Sequence, residues 1–319
     1  MRAQAADKIP LSSLLLVGIA TVISVWNVAT SYSKHSSITT SESEKSSFVS
    51  LASACTCRFL FASVIFSDCL FAILYGKWEQ KTEYEKGSKL QPITLEFRGY
   101  YRQPASRRSV SQALRTMSSC TMVSWALLGL SFFFSGWSDL ARLGNDDVLA
   151  SASATASAFL WQSVAPIALL VSTVVKYVLW PSTSDTSVLR HRLTLLEHNG
   201  NTIMVLADVL FLGRRTYSGD ALSVSSPSML FGSCYALLSW IWRNRWAPRR
   251  HGPQYIYPFL DTSLPGWKTT LYLTLLLLVM TFFALALHWS NTYLRFVEGA
   301  YARLALGLVI VLLTCRWRD

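Results

Sequence analysis

Eight apolar runs, separated by short polar connections, set the pattern of this chain, at residues 11–31, 51–76, 113–137, 149–180, 193–213, 228–243, 267–289 and 297–315. Runs of this length match the roughly 20 residues that an α-helix needs to cross a bilayer, so the pattern predicts an all-α, polytopic integral membrane helix bundle of about eight transmembrane helices. The first run, with its short basic start and Val28-Ala29-Thr30, also has the form of a signal peptide; its cleavage would leave seven spans in the same orientation. At about 20 residues each, the spans take up about half the chain and leave room for a single membrane domain over 1–319. A Ser-rich loop at 32–50 is expected to be flexible, because it has little to bury.

Composition agrees, with 51% hydrophobic and 15% charged residues and a mean hydropathy of +0.32, against roughly 25% charged in soluble domains. The net charge of +11 points to orientation and not to nucleic acid, because the basic residues cluster at span ends. Eight crossings put nineteen of the 29 Lys and Arg residues on one side and six on the other. Positive-inside bias then places both termini and the basic loop at 77–112 in the cytoplasm. The six cysteines lie in or beside spans and read as small apolar packing residues; no metal or cofactor is implied. The small-residue run at 150–158 reads as a helix-packing surface.

Polar groups inside the spans are the candidate chemistry, because they are costly in lipid. Span five carries Glu197, His198, Asn201 and Asp208. On a helix His198, Asn201 and Asp208 fall within an arc of about 80°, one face that must look into the bundle. At about 1.5 Å per residue, His198 and Asn201 lie about 8–12 Å below the cytoplasmic end, level with Ser118 and Thr121 of span three and Asp68 of span two. A hydroxyl, a histidine and a carboxylate at one level are the inventory of nucleophilic acyl chemistry. Arg58 and Asp208, deeper at about 27 and 22 Å, are nominated as an ion pair lining the polar site. The same groups serve equally as interhelical hydrogen-bonding glue.

The segments HNGNTIMVLADVLFLGRRTYS at 198–218, SCYALLSWIW and YIYPFLDTSLPGW at 255–267 resemble the androgen-induced transmembrane hydrolase family and a related plant group of transmembrane proteins. The resemblance runs over roughly 110–290. In the plant group a His-x-x-Asn pair is followed by Tyr-Pro-Phe-Leu-Asp/Glu, here His198 with Asn201 and Tyr257-Pro258-Phe259-Leu260-Asp261. The animal members hydrolyse fatty acid esters of hydroxy fatty acids with a threonine and a histidine. Laid on that pattern, Asn201 occupies the catalytic histidine position and His198 matches a histidine one turn earlier. The threonine position falls near Met117, beside Thr116 and Ser118, with Thr121 one turn on. Asn is no general base near neutral pH, so hydrolysis would require the base to move to His198.

The resemblance implies a membrane-embedded lipid-ester hydrolase of the endoplasmic reticulum or another endomembrane. Thr121 or Ser118 would attack, His198 would act as base, Asp68 would orient it and Asn201 would hold the oxyanion. Two other readings stay open, a carrier or binding protein for a lipid or small solute on the same polar face, and a non-catalytic membrane scaffold. Membrane lipids are the expected partners throughout. Independently of family, Tyr257, Pro258 and Asp261 before a span read as an interfacial anchor.

Overall fold

In a computed structural model of the chain, the residues described are 9–34, 50–82, 107–112, 117–182, 189–213, 220–246, 257, 260, 266–293 and 299–317. They form a helical bundle. Its long helices are α1 (Leu11–Lys34), α2 (Leu51–Tyr75), α3 (Cys120–Leu143), α4 (Asp147–Val174), α8 (Ala221–Trp246) and α9 (Gly266–Tyr293). All six are long and apolar enough to cross a membrane, and the chain is a multi-pass membrane protein. The fifth rod is interrupted: α6 (Arg192–Leu195), a π-helical turn over Leu196–Gly200 and α7 (Asn201–Leu210). A second π-helical turn, Val175–Leu179, extends α4 into the short α5 (Trp180–Ser182). The last helix, α10 (Ala300–Thr314), has 15 residues, a rise of about 22 Å against a hydrocarbon core of about 30 Å.

The helix ends follow local chemistry. Ser50 caps α2 by accepting from the Ser53 amide, and Asp146 caps α4 through Leu149. Ser119 accepts from Met122 N at 3.1 Å, which starts α3 at Cys120, seven residues later than the apolar run at 113–137 predicts; α3 also runs on to Leu143. The expected span 228–243 is too short for the opposite reason. The Ser-rich stretch before it lowers hydropathy, yet Ser225, Ser226 and Ser228 return their hydroxyls to the carbonyls of Ala221, Leu222 and Ser225. Self-satisfied in this way, they are buried as part of α8. The basic segment 77–112 begins and ends in an antiparallel two-stranded ribbon, β1 (Lys77–Thr82) on β2 (Arg107–Gln112). Of the Ser-rich segment 32–50, residues 32–34 continue α1, and 35–49 lie outside the described residues.

Helices α2, α3 and α4 pack as consecutive antiparallel neighbours around Ile65, Trp125, Leu128, Phe132, Trp161, Val164 and Val205. Ala150, Ser153, Ser157 and Ala158 of the small-residue run are buried. Across that contact Ser131 donates to the Ser157 carbonyl at 3.0 Å and Ser157 to the Ser131 carbonyl at 2.8 Å. Helix α1 packs on α8 and α9, fixed at its start by Ser13 and Thr270, 2.8 Å apart, and near its end by Ser31 donating to Ser223 at 3.0 Å. The end of α10 is held by Lys176, which donates to the carbonyls of Leu312 and Leu313. The rods therefore alternate in direction, and the start of α2 meets the ends of α3 and α7.

Candidate functional site

Two polar layers cross the bundle, and α2 and α7 contribute to both. The first is an ionic cluster. Arg58, 5% exposed, donates from Nε to Asp208 Oδ1 at 2.9 Å, from Nη1 to Asp139 Oδ2 at 2.5 Å and from Nη2 to the Leu212 carbonyl at 2.9 Å. Asp208 is fully buried. The Arg58–Asp208 pair is the one that sequence depth nominates. Asp139 is the partner it misses, because residue 139 falls beyond the expected end of span three at 137. Arginine suits this place: its planar fork reaches three acceptors on two helices at once, which a lysine cannot.

Ten residues along each of the antiparallel helices, a rise of about 15 Å, lead from Arg58 to Asp68 and from Asp208 to His198. Asp68 is 5% exposed and accepts from Trp125 Nε1 at 2.9 Å through Oδ2. Its Oδ1 is buried without a hydrogen-bond partner. Glu197, half-buried, lies within range of the Asp68 charge. His198 has a buried Nδ1 without a partner, and its carbonyl accepts from Ser172 of α4. Asn199, 1% exposed, donates to the Arg316 carbonyl at 2.7 Å and leaves its Oδ1 unpaired.

The π-helical turn explains how so many polar groups converge. A π turn widens the helix by one residue per turn and breaks the regular carbonyl ladder, and such turns recur at functional sites. The Ser172 hydroxyl takes up the His198 carbonyl there, and sits 2.7 Å from Thr202 Oγ1 and 3.3 Å from Asn201 Oδ1. Asn201 Oδ1 also accepts from the Thr202 amide at 2.5 Å. Its carbonyl oxygen is thereby committed to the α4 contact. Ser172 and Thr202 were not singled out from sequence, because Ser and Thr are frequent in every span and only the packing of α4 on the turn selects these two.

Thr121 and Ser118 sit at the start of α3. Because α3 begins at Cys120, Thr121 sits in its first turn and Ser118 precedes it. Thr121 is four residues, about 6 Å, nearer the membrane face than Trp125, which reaches Asp68. Thr121 Oγ1 lies 3.5 Å from Tyr257 Oη, and Tyr235 donates to the Ser118 carbonyl at 3.0 Å. Among the described residues, no hydrogen bond joins His198 to Thr121, Ser118 or Asp68. Tyr257 stacks edge-on to Tyr235 with ring centroids 6.2 Å apart; Pro258 and Asp261 lie outside the described residues.

In comparison with known proteins, the chain matches no family model, no curated protein and no solved structure.

Proposed function

We propose that this membrane protein binds the polar end of a membrane-soluble molecule in the layer of Asp68, Glu197 and His198, as a carrier or binding protein for a lipid or small solute. One observation carries the reading: Asp68 Oδ1 and His198 Nδ1 are both buried and both without a partner, next to a helix interruption. A buried acceptor left unpaired costs about 1–3 kcal/mol. A ligand entering beside the half-buried Glu197 would supply the missing partners.

A hydrolytic reading has one specific support besides the family resemblance, the buried His198 Nδ1 without a hydrogen-bond partner. In that reading Thr121 or Ser118 attacks the ester carbonyl carbon and passes its proton to His198, the alcohol leaves with that proton, and water then cleaves the acyl-enzyme, releasing the fatty acid and restoring the hydroxyl. Asp68 orients the imidazole and Asn201 holds the oxyanion through its amide group. Among the described residues no hydrogen bond joins either hydroxyl to His198, so binding ranks ahead of hydrolysis. Both readings place the basic face and the termini in the cytoplasm, with an endomembrane as the compartment.

A fluorophosphonate probe, which labels base-activated hydroxyls, separates the two. Under the binding reading, the folded protein stays unlabelled, and vesicles containing it take up a lipid or solute without covalent turnover. Labelling that is lost in both His198→Ala and Thr121→Ala or Ser118→Ala would overturn it in favour of hydrolysis. Absence of both labelling and binding, with His198→Ala affecting stability alone, would leave a scaffold.

A further inference from the structure

The ends of α4 and α10 meet the start of α6 at one membrane face. Residues 172–182, 189–195 and 311–317 carry Lys176, Arg190, Arg192 and Arg316 and neither Asp nor Glu. Positive-inside bias accounts for basic residues at span ends, but here two of the four are fixed in place. Lys176, in the π-helical turn that extends α4, donates to the Leu312 and Leu313 carbonyls at the end of α10, and Tyr177 donates to the Leu313 carbonyl at 2.8 Å. One turn beyond Lys176, the guanidinium of Arg316 lies over the buried Trp180, 5.2 Å from the ring centroid. The Arg316 carbonyl accepts from Asn199 at 2.7 Å. Leu189, next to Arg190, packs on Val175 and Trp180, with Leu195 of α6 against them.

Carbonyls and an indole hold these cations without cancelling their charge. Among the described residues, neither Lys176 nor Arg192 forms an ion pair. The surface beside them is apolar and exposed, with Tyr177 and Val178 on the π turn and Leu312 and Leu313 on α10. A soluble anion would meet the cations and leave that flank uncovered. A zwitterionic choline lipid would cover the flank but bring its own cation into a patch of four. An anionic phospholipid supplies both halves: two unesterified phosphate oxygens at headgroup level, one for each fixed cation, and acyl chains below.

We propose that Lys176 and Arg316 hold the phosphate of an anionic phospholipid at the junction of α4 and α10. Arg190 and Arg192, both exposed, add charge at the rim, and the acyl chains lie along the apolar flank. This site is separate from the layer of Asp68 and His198, so it stands or falls independently of the ligand proposed there.

The full-length protein would be reconstituted in phosphatidylcholine bilayers holding a trace of phosphatidylglycerol or phosphatidylcholine, each spin-labelled on an acyl chain. Electron spin resonance then reads the fraction of each that the protein immobilises. The expected result is a preference for phosphatidylglycerol of at least about five-fold, of which Lys176→Gln and Arg316→Gln should each remove about five-fold. Arg316→Gln keeps the Asn199 bond, which is made to the main-chain carbonyl, so it decides the question even if Lys176→Gln fails to fold. Lys268, over Trp267 at 5.6 Å from the ring centroid, starts α9 on the same membrane face, and Lys268→Gln should leave the preference unchanged. Equal immobilisation of the two lipids, or a preference unchanged in folded Arg316→Gln, would overturn the proposal. A loss as large in Lys268→Gln would replace the site by general surface charge and overturn it too. Displacement of the labelled lipid by millimolar glycerol 3-phosphate would overturn it in favour of a soluble phosphate ester.

Discussion

Arg58→Met tests the ionic layer most directly. Methionine keeps most of the apolar stem and removes the guanidinium, so the change isolates three hydrogen bonds, to Asp208, Asp139 and the Leu212 carbonyl. What remains is two carboxylates, Asp139 at 5% and Asp208 at 0% exposure, with their shared cation gone. Breaking a buried pair by deleting one partner costs about 3–5 kcal/mol, because the other charge is left uncompensated. Here two carboxylates lose the guanidinium at once, which places the expected loss at the upper end of that range. Reversible unfolding in mixed micelles, followed by the fluorescence of the 12 tryptophans, would measure it.

The same logic predicts a partial rescue. Arg58→Met combined with Asp139→Leu and Asp208→Leu removes every charge of the cluster, and apolar replacement of a whole buried ionic group is often neutral or stabilising by about 1–4 kcal/mol. The triple variant should therefore be more stable than Arg58→Met alone, an inversion that no additive account of lost contacts produces. A loss below about 1 kcal/mol for Arg58→Met would refute the reasoning, since it is the size expected of an exposed, water-screened pair.

Trp125→Phe should cost about 1.5–3 kcal/mol in the same assay, the value of a hydrogen bond to a charged group, because it strips Asp68 of the donor on Oδ2; unchanged stability would mean that water already supplies that bond. Gly129→Ala should cost about 1–3 kcal/mol through overpacking, because an added Cβ would stand 2.8 Å from Ile65 Cγ2 and 3.0 Å from Phe66 Cε1. Gly18→Ala in α1, with nothing within 4 Å of the new methyl, should instead gain up to about 1 kcal/mol from helix propensity. Asp220, outside the spans, is held below the ordinary 3.8 by the Ser223 hydroxyl and then by the Ser223 amide, from which it accepts at 2.7 Å. Its capping contribution should be complete above 3.8 and be lost as pH falls through the lowered value; amide exchange at Ser223 should rise there in the wild type and stay level in Asp220→Asn.

Continuous apolar runs made α1, α2 and α9 legible from sequence to within a few residues, because length and hydropathy alone decide those helices. The errors arose where local hydrogen bonding overrides hydropathy. Ser119 starts α3 after an apolar stretch has begun, and the serines of α8 satisfy themselves and stay inside the helix. The early end expected for span three hid Asp139, which α3 reaches by running on to Leu143. The pairing of Arg58 with Asp208 survived because both depths were counted along helices whose far ends had been placed correctly. That Asp68 Oδ1 and His198 Nδ1 lack partners is a property of packing between four helices, and no window along one chain segment carries it.

Charge balance also says where the bundle can adjust. At the Arg58 end, α7 is pinned to α2 by the Arg58 bonds to Asp208 and the Leu212 carbonyl, an anchor whose loss is costly. The opposite end of the same rod holds no such anchor: α6 has four residues, the π turn follows directly, and the turn's contacts to α4 are neutral hydrogen bonds worth about 0.5–1.5 kcal/mol each. Rearrangement on binding should therefore concentrate in residues 192–200 and fade along α7 before Asp208. The fixed ionic layer is then the fulcrum that lets the unpaired layer move, and the two sets of buried charge have complementary roles.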